Sequence, residues 1–566
     1  MSVCVQAAAK CPIIAPQFYV GDTTGDVSCD YNDIQSAIDA VGTCPVVVNV
    51  TREHTWTSQH LAIVGKALVL QAWGDGVTCD SLKNFCPISG CLQTSTQPLV
   101  TIDGSGSATG AVLSIAGASS VTLNNLTITG GGQVSADGAL FNGGGISFDG
   151  NGALTLNAST VSNNFAGFGG GIYINGSSGA LTLTLGANAL VISNTAQYSG
   201  GGIRVQGTSS LVAAQALTLI GFNTALGTNF GGSSPVEGYG GGVEVVGPAR
   251  ADIGSPGYNG LGVLYNNTAS YGGGIAVFAG DQPIRGTANF YAADPQHPVT
   301  LDGNFASSQG GAIFARGFSQ YLPEVLNTAS VCLSNYRIVH NAAPDGAVAY
   351  LDWDTNVELV AMGAKLLLNS GTCGGPAGAT CASGTPCNQA YDNLSQDVAA
   401  NPTDGSVIFV GKTSALVADK LDLRGSSGAH LVYDLGDNYT NYAGDSLLRS
   451  CLLADNTVSQ ELIAGFGSSL TLDNCTIAGN SIGGSHVANT LANLTNSLVF
   501  QPGLPTAAYA ATYVLANDIS QLPAGVTVKM LADPKFVDTG SGDYHLQLSS
   551  PAVDYAGGLG GTDLEG

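Results

Sequence analysis

The residues of this chain that could do chemistry are few. Tyr350-Leu351-Asp352-Trp353-Asp354 puts two carboxylates on one face of an extended segment, beside an indole. Paired carboxylates near an aromatic ring suit a glycosidase, which works across about 5–10 Å, or a calcium site. The same pattern also describes a solvated strand end. A second set lies in strands that follow a recurring glycine motif. If the first aliphatic residue points inward, the next row outward reads Ser147, Tyr173, Arg204, Glu244, Ala276, Phe314 and Ala349. The row beyond it reads Asp149, Asn175, Gln206, Val246, Phe278 and Arg316. Tyr173, Arg204, Glu244, Phe278, Phe314 and Arg316 are the candidate ligand contacts. Arg204 and Glu244 are expected as neighbours on adjacent coils, and a surface ion pair there is worth about 0–1 kcal/mol.

Other chemistries lack their residues. The 16 Lys and Arg are scattered, with no Arg-x-x-Pro-x-x-Arg pair for a lyase. The aspartate set of a polygalacturonase is missing. Gly428-Ala429-His430 and Gly484-Ser485-His486 are faint echoes of its histidine element. No phosphate loop, Ser-His-Asp arrangement or metal-ligand spacing stands out, and no cofactor is expected beyond calcium.

The elements that must hold these residues follow from an internal repeat. Gly-Gly-Gly-Ile occurs at 143–146, 169–172, 200–203 and 272–275, Gly-Gly-Gly-Val at 240–243 and Gly-Gly-Ala-Ile at 310–313. Weaker copies read Asp-Gly-Ala-Val at 345–348 and Asp-Gly-Ser-Val at 404–407. Asn-x-Ala precedes the copies at Asn164, Asn194, Asn223, Asn267, Asn304 and Asn341. Glycine reaches positive φ without a clash, so each motif reads as a sharp corner. Between corners the chain alternates at period two, as in Leu181-Thr182-Leu183-Thr184-Leu185. Asn tolerates the left-handed region, and its amide can bond an Asn one coil away. The pattern predicts an all-β, single-stranded right-handed parallel β-helix of roughly fifteen coils about 4.8 Å apart.

The ends read as caps. Ile34, Ala37, Ile38 and Val41 form one apolar stripe of a short helix that can plug the first coil. The expected organisation is 1–50 as a disulfide-bearing segment with the capping helix, 51–530 as the solenoid, and 531–566 as a closing segment.

Composition bounds the partners. A net charge of −24, without a basic run, disfavours nucleic acid. No apolar run is long enough to span a membrane. The 13 Cys cluster at 79, 86 and 91 and at 373, 381 and 387, with Cys29 near Cys44 and Cys451 near Cys475. Without any Cys-x-x-Cys, they read as disulfides of an oxidising compartment. Met1-Ser2-Val3 enters a mature-looking segment and Asp563 to Gly566 stops in mid-motif, so a leader and an anchor are expected beyond the two ends.

The Gly-Gly-(Ala/Gly)-(Ile/Val) and Asn-x-Ala motifs over about 141–350 resemble the repeats of the polymorphic outer membrane proteins. Those are surface proteins with β-helical passengers. The phenylalanine usual three residues before the Asn is aliphatic here, as at Val161, Ile220, Leu264, Leu301 and Ile338. Ile34 to Asp39 and Ser550 to Asp554 resemble the two ends of secreted pectate-lyase-like β-helix proteins. These resemblances imply an extracellular or bacterial cell-surface, adhesin-like passenger that binds a surface or polysaccharide ligand. The alternatives are a polysaccharide lyase or glycoside hydrolase with Asp352 and Asp354, and an ice-binding surface, for which Thr182 and Thr184 form a short row.

Overall fold

The computed structural model describes residues 15–552 except 22–27, 53–55, 75–76, 86–94, 107–109, 133–140, 214, 216, 228–236, 256, 258–260, 280–285, 292–296, 318–328, 353–364, 369–387, 396–404, 412–413, 436–445, 466–468, 485–486, 489–490, 501–509 and 517–528. Among the described residues the strands align into three parallel sheets of 25, 15 and 10 strands, plus one antiparallel pair near the C-terminus. The fold is a right-handed parallel β-helix, the winding that parallel crossovers adopt. The second sheet takes one strand per coil, and its 15 strands agree with the expected coil number. The large sheet holds two tracks, which run together in single long strands such as Ile172–Leu185.

The aliphatic column after the glycine corner is the core. Ile146, Ile172, Ile203, Val243, Ile275 and Ile313 are successive register partners, and all are fully buried. The first glycine of each motif carries the corner, at φ +60° in Gly169 and +64° in Gly240. The second lies against the neighbouring coil: a Cβ on Gly201 would sit 2.4 Å from the Gly241 carbonyl oxygen.

The later copies are framed differently from the sequence reading. Gly346, at φ +68°, takes the place of Gly310 rather than Gly311. Ala349 therefore enters the buried column, followed by Ile408 and Val432, and Tyr350 points outward in its stead. The slip arises because positive φ demands glycine only at the first position, so a single surviving glycine marks that place.

The asparagines of the Asn-x-Ala motifs, continued by Asn393 of an Asn-Leu-Ser, form a buried amide ladder. Asn164, Asn194, Asn223, Asn267, Asn304, Asn341 and Asn393 each donate Nδ2 to Oδ1 of the next at 3.0–3.1 Å, except the last. Ser426 interrupts the ladder, which resumes with Asn456 and Asn480. The left-handed residue is the one before each Asn, such as Ser193, Phe222 or His340. The ladder Asn itself supplies hydrogen bonds rather than the turn.

The first coil is closed by the helix Ile34–Ala40, with Asp33 as N-cap and Ile34, Ala37 and Ile38 buried. Its Gln35 acts as a strand substitute: Nε2 donates to the Ala62 carbonyl at 3.1 Å, and Oε1 accepts the Ala62 N–H at 2.8 Å. That satisfies an edge that would otherwise pair with another chain. Gln17–Val20 and Val46–Thr51 already belong to the large sheet. A second helix, Cys79–Phe85, was not expected. Cys29 bonds Cys79, and Cys451 bonds Cys475 on the next coil. Cys44 and Cys332 are also disulfide-bonded. Near the C-terminus, Phe536–Asp538 and Asp543–Leu546 pair as a hairpin against the side of the stack. Tyr544 hydrogen-bonds Asp455, and Arg424 donates to the Gly542 carbonyl.

Candidate functional site

Three columns of side chains share the outer face at the glycine corner. Stacking fixes their order, because each residue sits over its register partner. The column after the corner reads Ser147, Tyr173, Arg204, Glu244, Ala276, Phe314, Tyr350, Phe409 and Tyr433. The corner column runs Phe168, Ser199, Tyr239, Tyr271 and Gln309. The outermost column includes Gln206, Val246, Phe278 and Arg316.

The upper part is a polar network. Arg204 Nη1 donates to Glu244 Oε2 at 2.6 Å, and Arg204 Nε to Gln206 Oε1 at 3.0 Å. Gln206 Nε2 reaches Tyr173 Oη at 2.6 Å, and the guanidinium lies over the Phe168 ring. This pair is not the surface rung expected from sequence, since the Glu244 side chain is 4% exposed. Burial pushes the Glu244 carboxyl up, while Arg204 and a Ser199 hydrogen bond pull it down. A buried pair of this kind is costly to break on one side only.

The lower part is aromatic. Ala276 presents only a methyl group, and the Tyr239 and Tyr271 rings stack beside it with centroids 5.0 Å apart. Phe278 meets Tyr239 edge-on at 4.8 Å. The exposed Glu237 accepts hydrogen bonds from both phenols, at 3.1 Å from Tyr271. Arg316 Nη1 donates to Tyr239 Oη at 3.2 Å, with its guanidinium near the Phe314 ring. Burial, with Glu237 adding to it, raises both phenols above their ordinary pKa. They are therefore protonated donors at neutral pH, not bases. Phe314, Tyr350, Phe409 and Tyr433 continue as a ring stack, with Tyr350 and Phe409 4.3 Å apart.

The structure brings Tyr173, Arg204, Glu244, Phe278, Phe314 and Arg316 onto one face, but not all to the surface. Phe314 is fully buried and Tyr173 nearly so, because rings on adjacent coils pack against one another and against corner residues. The surface is supplied by Glu237, with half-buried Tyr239, Tyr271, Phe278 and Arg316. Sequence reading missed Glu237, Tyr239 and Tyr271, although Tyr-Gly-Gly-Gly recurs at 239–242 and 271–274. Asp352 lies opposite Arg316 in register, but its side chain, with Trp353 and Asp354, falls outside the described residues.

One other grouping has less to offer. Ser406 and His430 are register partners, and the Ser406 hydroxyl bonds Asp345. All three are buried, so no substrate can reach them. Among the described residues no three His, Cys, Asp or Glu gather as a metal site would require.

The face and the fold define a β-helical solenoid with a shallow aromatic and polar surface. No family model and no curated protein matches the chain. Among the described residues no helix is long and apolar enough to cross a membrane.

Proposed function

We propose that the protein is a secreted or cell-surface, adhesin-like interaction protein that holds a polysaccharide or similar surface ligand against its glycine-corner face. The observation that carries this reading is the patch, built from three successive coils, where Tyr239 and Tyr271 both donate to Glu237 and Arg316 donates to Tyr239. Aromatic faces with adjoining donors and acceptors suit a sugar ring, whose faces are apolar and whose edge is hydroxylated. A shallow surface built on a rigid stack suits an extended chain better than a small molecule. The disulfides Cys29–Cys79 and Cys451–Cys475 and the resemblance to passenger repeats support an extracellular setting.

A second reading, a polysaccharide-active enzyme, gains from the same convergence, because an exposed carboxylate flanked by donors is also a general acid–base arrangement. One experiment separates the two. Immobilised plant, algal and bacterial polysaccharides are scored for binding and for release of reducing ends. The binding reading expects retention without release, weakened at least about tenfold by Arg316→Ala. Release of reducing ends that Glu237→Gln abolishes would replace it with the enzyme reading. Retention indifferent to Arg316→Ala and Tyr271→Phe would remove this face from the function.

A further inference from the structure

A groove away from the corner face also has the makings of a site. It lies where the large sheet turns into the second sheet, over the early coils, and encloses about 400 Å³. That is within the range of small-ligand pockets. Asn124 and Asn157 are register partners on its wall, joined by a 3.0 Å hydrogen bond from Asn157 Nδ2 to Asn124 Oδ1. Asn188 projects from the next turn, held at φ +57°. Thr122 and Thr96 add hydroxyls, and Val69 supplies apolar surface.

Two properties narrow the ligand. Among the described residues no Asp, Glu, Lys, Arg or His lines the groove. The Thr96 and Thr122 hydroxyls and the Asn188 amide make no hydrogen bond with any described residue, so their donors and acceptors are available. Amides and hydroxyls offer paired donors and acceptors that match vicinal sugar hydroxyls. A chain of net charge −24 would repel an acidic polysaccharide from a site without a cation.

We propose that this groove binds a short stretch of neutral saccharide, with Thr122, Asn157 and Asn188 as its polar contacts. The stacked hydroxyls of Thr122, Thr155 and Thr184 extend the same face along three coils, so a longer glycan could continue over them. The site stands on its own observations and survives if the corner face binds nothing.

The test titrates the whole protein with cellotetraose, maltotetraose, mannotetraose and xylotetraose, with tetragalacturonate as the charged counterpart. At least one neutral tetrasaccharide should bind in the millimolar range or tighter, and tetragalacturonate more weakly. Asn188→Gly keeps the left-handed turn and removes the amide. Thr122→Val keeps the shape and removes the hydroxyl. Each should weaken binding about fivefold. No neutral ligand binding, preference for tetragalacturonate, or binding indifferent to both groove variants would each overturn the proposal. So would thermal hysteresis in ice without saccharide binding, which would assign the threonine face to ice.

Discussion

Replacing one rung of the asparagine ladder should open the stack locally, and the size of the effect can be worked out at Asn267. Its Nδ2 donates to Asn304 Oδ1 at 3.0 Å and to the Ile220 carbonyl at 2.9 Å. Its Oδ1 accepts from the Asn223 backbone N–H and from Asn223 Nδ2, both at 3.1 Å. Asn267→Ala removes all four, at about 1 kcal/mol each, so the loss is about 4 kcal/mol. Asn223 Nδ2 keeps its bond to the Val191 carbonyl, but the Asn223 N–H is left buried without its acceptor. Solenoid coils depend mainly on their neighbours, so the loss should be confined to coils around residues 220–305 rather than spread along the rod. Native-state hydrogen exchange read by mass spectrometry should show the Asn223 amide deprotected by up to about a thousandfold. Asn267→Ser should cost roughly half as much. At the natural interruption, the Ser426 hydroxyl still accepts the Asn393 N–H at 3.3 Å. A fall in protection of less than about tenfold in Asn267→Ala, or an equal loss in the serine variant, would mean that the ladder contributes little and that aliphatic stacking alone sets the register.

Two further outcomes are expected. Asp434 faces the interior, and burial pushes its carboxyl up to about 7, against a hydrogen bond with Ser446 that lowers it. The folded state then holds a proton that the unfolded chain has released, so stability should be full below about pH 4 and fall by on the order of 4 kcal/mol as pH rises to about 7. Denaturation midpoints against pH should show that slope, with much of it gone in Asp434→Asn; a rising curve over this window would contradict the assignment. At the buried pair, Glu244→Ala strands Arg204 and should cost about 3–5 kcal/mol, whereas Arg204→Met with Glu244→Gln together should cost less than either single change. Urea unfolding of Glu244→Ala, of Arg204→Met and Glu244→Gln singly, and of their double variant checks this, and additive losses would count against a coupled pair.

How much was legible in advance differs between fold and site. Glycine corners and period-two alternation are local consequences of backbone sterics, so the solenoid, its buried aliphatic column and its capping helix could be read from the chain alone. Even the adjacency of Arg204 and Glu244, 40 residues apart, followed from counting strands after equivalent corners. The same counting failed at Gly346, where the motif had lost its other glycines, so Ala349 was read in the outward row at the place Tyr350 occupies.

Burial was decided only by the assembled coils. Whether an outward side chain meets water depends on what stands on the coils beside it. Phe314 and Phe278 occupy comparable outward places, yet one is fully buried and the other half-exposed. Glu237 stands two residues before Tyr239 in the chain, but its hydrogen bond from Tyr271 joins residues 34 apart on adjacent coils, and only the stacking brings them together. The sequence thus determined the path of the backbone, through the steric demand for positive φ at fixed intervals. The tertiary structure decided which side chains remain available for contact, because exposure depends on neighbours dozens of residues away rather than on the residue itself.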